Sequence, residues 1–270
     1  MTTAVPLASV VSALFGDLDL GDERRDRWFR VVAQAMADSP GASRPQIVPD
    51  PSAYHACRRL FDGPRCTHAN ILGAHQEAVL NAMEARAEPL LLPHNTTLLD
   101  FSGHATRRDD LGPLGNGGGR GWLARHTLAV DPADRTALGL VRQILPVRVS
   151  PPSGETVAQK RVWQGRESRL WLRGLDEIGP PPAGCHGIDV ADRGADIFEF
   201  LQALTDRARR FVVRSKHRRA LGTGSAEEKA AALLPDRALA LPAARRGTWT
   251  SRPGRGSRSE RPGCRPRRSG

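Results

Sequence analysis

Two short stretches hold residues that could bind a metal ion or a phosphate. In the first, a segment that begins with the apolar run Leu90–Leu92 turns polar at Asn95 and reaches Asp100. In the second, Asp192 follows the predicted strand Cys185–Ala191. A carboxylate that leaves the end of a strand can reach a cation at the edge of the sheet, and hard cations prefer charged oxygen ligands. The sequence therefore predicts a site at a sheet edge, with Asp192 as a ligand.

Three cations follow the next apolar run along the chain. Arg214, Lys216 and His217 leave this run at its polar end. Such side chains could hold the phosphates of a nucleic acid beside the site. The alternative is a plain strand–helix–strand unit that carries these charges on its surface.

The first third of the chain has helical patterning. Asp22 is placed to cap a helix over Glu23–Ala37, and a Pro-rich connector, Pro45–Pro51, leads to a second helix over Ala53–Phe61. Thr67 is placed to open a third helix that reaches about residue 87. Arg24 and Arg25, with Arg27 and Arg30, crowd the first of these helices, where they could line a phosphate backbone or form a solvated face balanced by neighbouring acids.

After Pro89 the periodicity changes to that of strands. The predicted strands are Leu90–Phe101, Gly121–Val130, Ala137–Val149, Cys185–Ala191 and Phe211–Arg214. The predicted helices are Arg161–Leu175, a helix from an Asp196 cap to Ala208, and one opened by a capping box at Ser225–Glu228. This order indicates an α/β core with a mixed sheet behind a helical N-terminal domain. The Gly-rich run Gly112–Gly121 is expected to be a loop, because it lacks the ending of a phosphate-binding loop.

The charge of the chain is concentrated at its C-terminus. Residues 243–270 contain nine Arg and one Glu, a net charge of +8, which leaves +3 for residues 1–242 of the total of +11. A run of Arg, Pro, Gly and Ser cannot bury enough apolar surface to order itself, so we expect a disordered tail. It could be a basic arm that binds nucleic acid, or out-of-frame translation of a GC-rich gene.

Cysteine usage and hydropathy exclude several other classes. The four cysteines are irregularly spaced, and no run of apolar residues is long enough to span a membrane. We therefore expect a cytoplasmic protein with reduced thiols and no membrane partner. His55, Cys57, Cys66 and His68 form the one grouping that suggests zinc, but its spacing is not that of standard zinc sites, and ordinary packing is the alternative.

The order of several motifs resembles that of the bacterial cut-and-paste DDE transposases of the insertion-sequence-four family, close to the transposon-five type. The matching blocks are Leu20–Arg25, Ser52–Phe61, Asn95–Phe101, Leu111–Trp122, Ala191–Asp196 and Arg210–His217. The resemblance covers about residues 14–220. It implies a helical domain that contacts transposon-end DNA, an RNase H-like catalytic core, a bacterial nucleoid-associated location and Mg²⁺ as cofactor.

The resemblance also implies which residues form the active site. In this family three carboxylates hold two Mg²⁺ ions, which activate the nucleophile and stabilise the leaving oxygen. Asp192 falls on the second aspartate, and Arg214 on a basic residue near the DNA. Asn95 falls on the first aspartate, so an amide stands where the family has a carboxylate. Asp100 is an odd number of residues away and should face the opposite side of the strand. The family's downstream glutamate signature is missing, and the remaining candidates are Glu227, Glu228 and Glu260.

The sequence thus predicts three regions: residues 1–88 as a DNA-binding domain, 89–235 as an incomplete RNase H-like core, and 236–270 as a basic tail. The expected function is that of a truncated or frameshifted transposase with impaired catalysis. The alternative is a non-catalytic fragment that occupies transposon ends or inhibits a full-length transposase. Its protein partner could be a full-length transposase or a second copy of the chain, and a monomer is as open as a dimer. An unrelated α/β domain is the third reading.

Overall fold

A computed structural model describes residues 7–217, apart from 104–109, 116–117 and most of 150–164. Its described part forms one compact unit, in which helices precede a six-stranded sheet. No helix in this part is long and apolar enough to cross a membrane. The predicted capping box at Ser225–Glu228 and the tail 236–270 lie outside the described residues.

Five helices form the N-terminal region. They are α1 (Leu7–Phe15), α2 (Glu23–Asp38), α3 (Arg44–Ile47), α4 (Pro51–Phe61) and α5 (His68–Glu84). The predicted caps of α2 and α5 are confirmed, because the side chain of Asp22 accepts a hydrogen bond from the Arg24 amide and that of Thr67 from the Asn70 amide. The short α3 replaces part of the predicted connector, because Ser43 and Gln46 form a capping box there.

These helices enclose a small core of their own and also contact the sheet. Leu18, Leu20, Phe29 and Leu60 are buried together between α1, α2 and α4 and the turns that join them. Helix α5 lies against the sheet, where its His75 Nε2 accepts a hydrogen bond of 2.8 Å from the backbone amide of Leu140. This contact joins the helical region to the sheet.

The sheet has the strand order expected for an RNase H-like core. Its strands are β1 (Leu90–Asp100), β2 (Gly112–Leu114), β3 (Gly119–Val130), β4 (Ala137–Ile144), β5 (Gly187–Ala191) and β6 (Arg210–Val213). Strands β4, β3 and β1 are antiparallel neighbours, while β5 and β6 continue the sheet beyond β1 in parallel. The short β2 pairs with the start of β3. The predicted fold class, a mixed α/β sheet behind a helical domain, is confirmed.

The Gly-rich segment is only partly the loop that the sequence predicts. Its described residues form β2, a turn and the first residues of β3. Gly121 is needed where β3 runs beside Leu99, because a Cβ atom at this position would collide with the Leu99 carbonyl. Glycine therefore allows the close pairing of β1 and β3 at this point.

Helix α5 packs its Val79 and Met83 on Leu90 and Leu92, and two further helices cover the part of the same face around His94 and Ala191. They are α6 (Arg169–Ile178) and α7 (Phe198–Asp206), the latter preceded by a 3₁₀ turn over Arg193–Ala195. Trp171 and Leu175 of α6 pack with Phe200 and Leu204 of α7 against Ala191 at the end of β5. The apolar spacing in the sequence predicts this face of α7.

The predicted role of Asp196 as the cap of α7 is wrong. The cap residue is Ile197, without a side-chain hydrogen bond. The buried Asp196 carboxylate instead accepts hydrogen bonds from the backbone amides of Lys216 (2.6 Å) and His217 (2.8 Å). The Asp196 carboxylate therefore bonds to amides about twenty residues further along the chain and not to the first amides of α7. The helix also ends before the predicted Ala208, which adopts a left-handed conformation with φ 52°.

Candidate functional site

The parallel pairing of β1 and β5 places Asn95 beside Asp192. The register runs from Leu90 opposite Gly187 to His94 opposite Ala191, and Asn95 and Asp192 are the next residues on the two strands. Both line one groove of about 310 Å³, together with Thr96, Glu167, Ser168, Trp171, Gly194 and Ile197. The two positions that the sequence singles out for chemistry thus meet at one edge of the sheet.

Local hydrogen bonds fix the orientation of both side chains. The Asn95 Oδ1 accepts a hydrogen bond of 2.8 Å from the amide of Thr96. The Asp192 Oδ1 accepts one of 2.9 Å from the amide of Gly194, so Asp192 caps the 3₁₀ turn over Arg193–Ala195. Each side chain therefore has one oxygen committed to the backbone. The Asn95 Nδ2 is the atom of that amide able to donate to a ligand.

Asp100 does not contribute to this groove. The exposed Asp100 accepts hydrogen bonds from the amide and hydroxyl of Ser102, which lower the pKa of its carboxyl, and it is not among the lining residues. Glu227, Glu228 and Glu260 lie outside the described residues. A carboxylate that sequence reasoning missed, Glu167, does line the groove, and it is paired with Arg148 at 3.6 Å.

The donor set fits two Mg²⁺ ions poorly. Two closely spaced divalent ions need several charged oxygens, and this groove offers the carboxylates of Asp192 and Glu167 with the neutral amide of Asn95. Among the residues that the structure describes, no three His, Cys, Asp or Glu side chains converge as a cation site would require. In the grouping of His55, Cys57, Cys66 and His68, for which ordinary packing is the alternative to zinc, the His68 Nε2 lies 3.0 Å from the Gln143 Oε1.

A buried polar network joins β1 and β5 directly below the groove. The His94 Nε2 donates to the Asp189 Oδ1 (2.7 Å), and the Arg209 guanidinium contacts both Asp189 oxygens at 2.6 and 2.9 Å. Because a carboxylate only accepts, the proton of His94 lies on Nε2, and Nδ1 accepts from the Thr127 hydroxyl at 2.8 Å. The network ties together the two strands whose next residues line the groove.

The pKa values of the network follow from its burial and its hydrogen bonds. Burial lowers the pKa of His94, and the neighbouring Asp189 opposes this only in part. Burial would raise the pKa of Asp189, but hydrogen bonds from His94 and Arg209 outweigh it and hold that pKa below its ordinary value. The pair is therefore a neutral imidazole and an ionised carboxylate, with Arg209 as the counter-charge.

A second buried cation, Arg125, lies below the groove on β3. Its side chain is 2% exposed, and its guanidinium carbon lies 3.8 Å from the ring centroid of Trp171, which lines the groove. Burial lowers the pKa of Arg125 to about 10, and the charge of Asp192 opposes this shift. Within the described residues, Nε and Nη1 have no hydrogen-bond partner. The one feature of the sequence that could have indicated this burial is the position of Arg125 at the centre of an apolar strand.

The predicted cations after β6 lie near the groove without lining it. Strand pairing continues one residue beyond β6, since the amide of Arg214 donates to the Ala191 carbonyl at 3.0 Å. Arg214, Lys216 and His217 are exposed. Their backbone is therefore fixed next to the end of β5, while their side chains remain open to solvent.

The predicted DNA-binding arginines line a separate cationic groove between α2 and α4. Arg24 and Arg25 share this groove of about 430 Å³ with Arg59 and Trp28. Arg24 is exposed and pairs with Asp22 at 3.3 Å. Arg59 was not predicted, and α4 places it opposite α2. Guanidinium groups beside an aromatic ring suit contact with a nucleic-acid backbone.

Comparison with known proteins bears on the N-terminal region. Residues 8–66 match the family described as transposase DNA-binding. The chain is also similar, at 13% identity and a TM-score of 0.30, to the transposase in a cryo-EM structure of a piggyBac synaptic complex with hairpin DNA. That match covers 82% of this chain and 41% of the other, and a TM-score this low does not establish a common fold. Residues 8–66, which contain most of α1 and all of α2, α3 and α4, are thus similar to a transposase DNA-binding domain.

Proposed function

We propose that this protein binds transposon-end DNA as a member of the transposases and that its cleavage of phosphodiester bonds is impaired. The observation that carries the second part is the position of Asn95, which lies beside Asp192 where the resemblance implies a metal-binding aspartate. The amide removes one negative charge from a centre that depends on charged oxygens. The nearby Glu167 does not replace it, because Arg148 already compensates its charge.

The cationic groove between α2 and α4 supports the first part of the proposal. Arg24, Arg25 and Arg59 converge there within the segment that matches the transposase DNA-binding family. Contacts of arginine with phosphates supply most of the affinity for DNA, and they weaken as salt is added. The same contacts would let the protein compete with a full-length transposase for the ends.

A nicking assay with labelled transposon-end DNA and Mg²⁺ tests the catalytic part. We expect no detectable nicking by the wild type and a gain of nicking in Asn95→Asp. Asn95→Gln is the matched control, since it changes the side chain without adding charge. Robust cleavage by the wild type that Asp192→Ala abolishes would overturn the proposal.

A mobility-shift titration tests the binding part. Arg24→Ala and Arg25→Ala should each weaken binding to end DNA and reduce its salt dependence. Arg173→Ala is the control, because it removes an arginine of α6 that pairs with Glu177 away from both grooves. Equal affinity for end DNA and for random duplex would exclude recognition of the ends.

We also propose that residues 236–270 are translated out of frame. Their composition of Arg, Pro, Gly and Ser supports this. Translation of the coding DNA from about codon 230 in the other two frames tests it. Finding the family's glutamate signature there would support a frameshift, and its absence from both frames would oppose one.

A further inference from the structure

We propose that Arg125 takes the place of a divalent cation in the charge balance of the Asn95–Asp192 groove, which therefore binds a DNA phosphate without a metal ion. This inference rests on the proposed function, because it takes DNA to be the ligand. It adds a binding mode that the resemblance does not imply. The ligand class is a phosphodiester monoanion.

The first step is that Arg125 is a retained, rigid and incompletely bonded charge. An arginine buried to this degree costs free energy unless an opposite charge compensates it. Asp189 is already engaged by His94 and Arg209. The Arg125 Nη2 lies 3.5 Å from the His94 Nδ1, while Nε and Nη1 have no hydrogen-bond partner among the described residues. Its guanidinium carbon lies 3.8 Å from the ring centroid of Trp171, so one ring separates this charge from the groove, and Asp192 is the carboxylate whose charge acts on it.

The second step is that the fold holds this guanidinium in place. Trp171 stacks on it from α6 and forms a wall of the groove. Gly174, one turn further along α6, lies so close to the Arg125 Nε that a Cβ atom would collide with it. The helix therefore clamps the side chain between its own backbone and the sheet. A fixed cation costs no reorganisation when an anion binds.

The third step is the chemistry of the groove itself. Asn95 brings an amide donor where a carboxylate would bring only an acceptor, and Thr96 and Ser168 add hydroxyl groups. Arg125 offsets the charge of Asp192, and Arg148 offsets that of Glu167. A neutralised groove with several donors suits a phosphate oxygen better than a pair of divalent cations.

Nuclear magnetic resonance with dimethyl phosphate as the probe tests the proposal on the full chain. The amides of Thr96 and Gly194 report on the groove, because they bond to the side chains of Asn95 and Asp192. In EDTA, we expect saturable shifts at these amides in the wild type and affinity about tenfold weaker in Arg125→Met. Arg125→Lys should retain binding. Arg142→Met, which removes an arginine paired with Glu177 elsewhere on the sheet, should leave it unchanged.

Two further measurements keep the test decisive. If Arg125→Met does not fold, Asp192→Asn replaces it and should bind the probe more tightly, since it removes a repulsive charge. Addition of Mn²⁺ should broaden the Gly194 amide less in the wild type than in an Asn95→Asp, Arg125→Met double variant. Shifts at Thr96 and Gly194 that appear only after a divalent ion is added would overturn the inference.

The outcome can be separated from that of the proposed function. Failure of the wild type to shift transposon-end DNA would contradict end binding, whatever the probe does in the groove. Loss of metal-free probe binding with intact end binding would contradict only the role of Arg125.

Discussion

Replacement of Asp189 by Asn should destabilise the protein far more than the loss of an ordinary ion pair. Asp189 is 1% exposed, and it holds both His94 and the Arg209 guanidinium, whose side chain is 5% exposed. The substitution keeps the shape but leaves the Arg209 charge buried without its counter-ion, with the Gly179 carbonyl as the remaining acceptor at 2.9 Å. Removing one member of a buried pair costs about 3–5 kcal/mol.

That loss is a large part of the stability of a domain, which is typically about 5–15 kcal/mol. Urea unfolding monitored by circular dichroism should show a midpoint lower by about 1–2 M at an unchanged slope. The matched control is Asp176→Asn, which breaks an Asp–Arg pair with Arg207 on the surface, and it should cost less than about 1 kcal/mol.

A double-mutant cycle decides whether the stranded charge causes the loss. Adding Arg209→Met to Asp189→Asn should recover most of the stability, with a coupling of about 2 kcal/mol or more. If Asp189→Asn costs no more than Asp176→Asn, or if the two substitutions are additive, the network does not hold β1 and β5 together as described.

Three shorter predictions concern other parts of the fold. Burial lowers the pKa of His75 and His94 below the ordinary value near 6.5, so the unfolded chain takes up protons before the folded chain as the pH falls. The free energy of unfolding should therefore drop between about pH 7 and pH 5. In urea titrations at each pH, His75→Gln should reduce this drop. Gly121→Ala should cost more than about 2 kcal/mol, measured by thermal unfolding, because its Cβ would meet the Leu99 carbonyl; a cost equal to that of the exposed Gly73→Ala would contradict this. Asp196→Ala should cost about 1–3 kcal/mol and raise amide exchange at positions 216 and 217, and unchanged exchange there would argue against the anchoring role.

Local signals account for the parts of the fold that the sequence predicts well. The caps at Asp22 and Thr67 act on amides two or three residues away, so the residues that form them stand next to each other in the sequence. Strand β1 begins with the apolar run Leu90–Leu92, and its end differs from the prediction by one residue. The meeting of Asn95 and Asp192 remains a prediction about function, although the strand register brings them side by side.

Tertiary contacts account for what the sequence did not reveal. Of the apolar positions on α2, Val32 is buried, whereas Val31 and Met36 are exposed. Phe29 is buried instead, because it packs with Leu18, Leu20 and Leu60. Arg125 has the charge of a surface residue, and its burial depends on Trp171, which lies 46 positions away on another element. No sequence pattern links residues as far apart as Arg125 and Trp171, so the burial of Arg125 under the groove could not be predicted from the sequence.

The anchoring of residues 216 and 217 by Asp196 fixes the position of residue 217 relative to the sheet. Asp196 stands four residues after Asp192, so the chain is pinned a short distance from the groove as it leaves the sheet. A segment fused after residue 217 would begin its path close to the groove. This makes residue 217 a suitable junction for fusing a further domain or peptide to the described part of the chain.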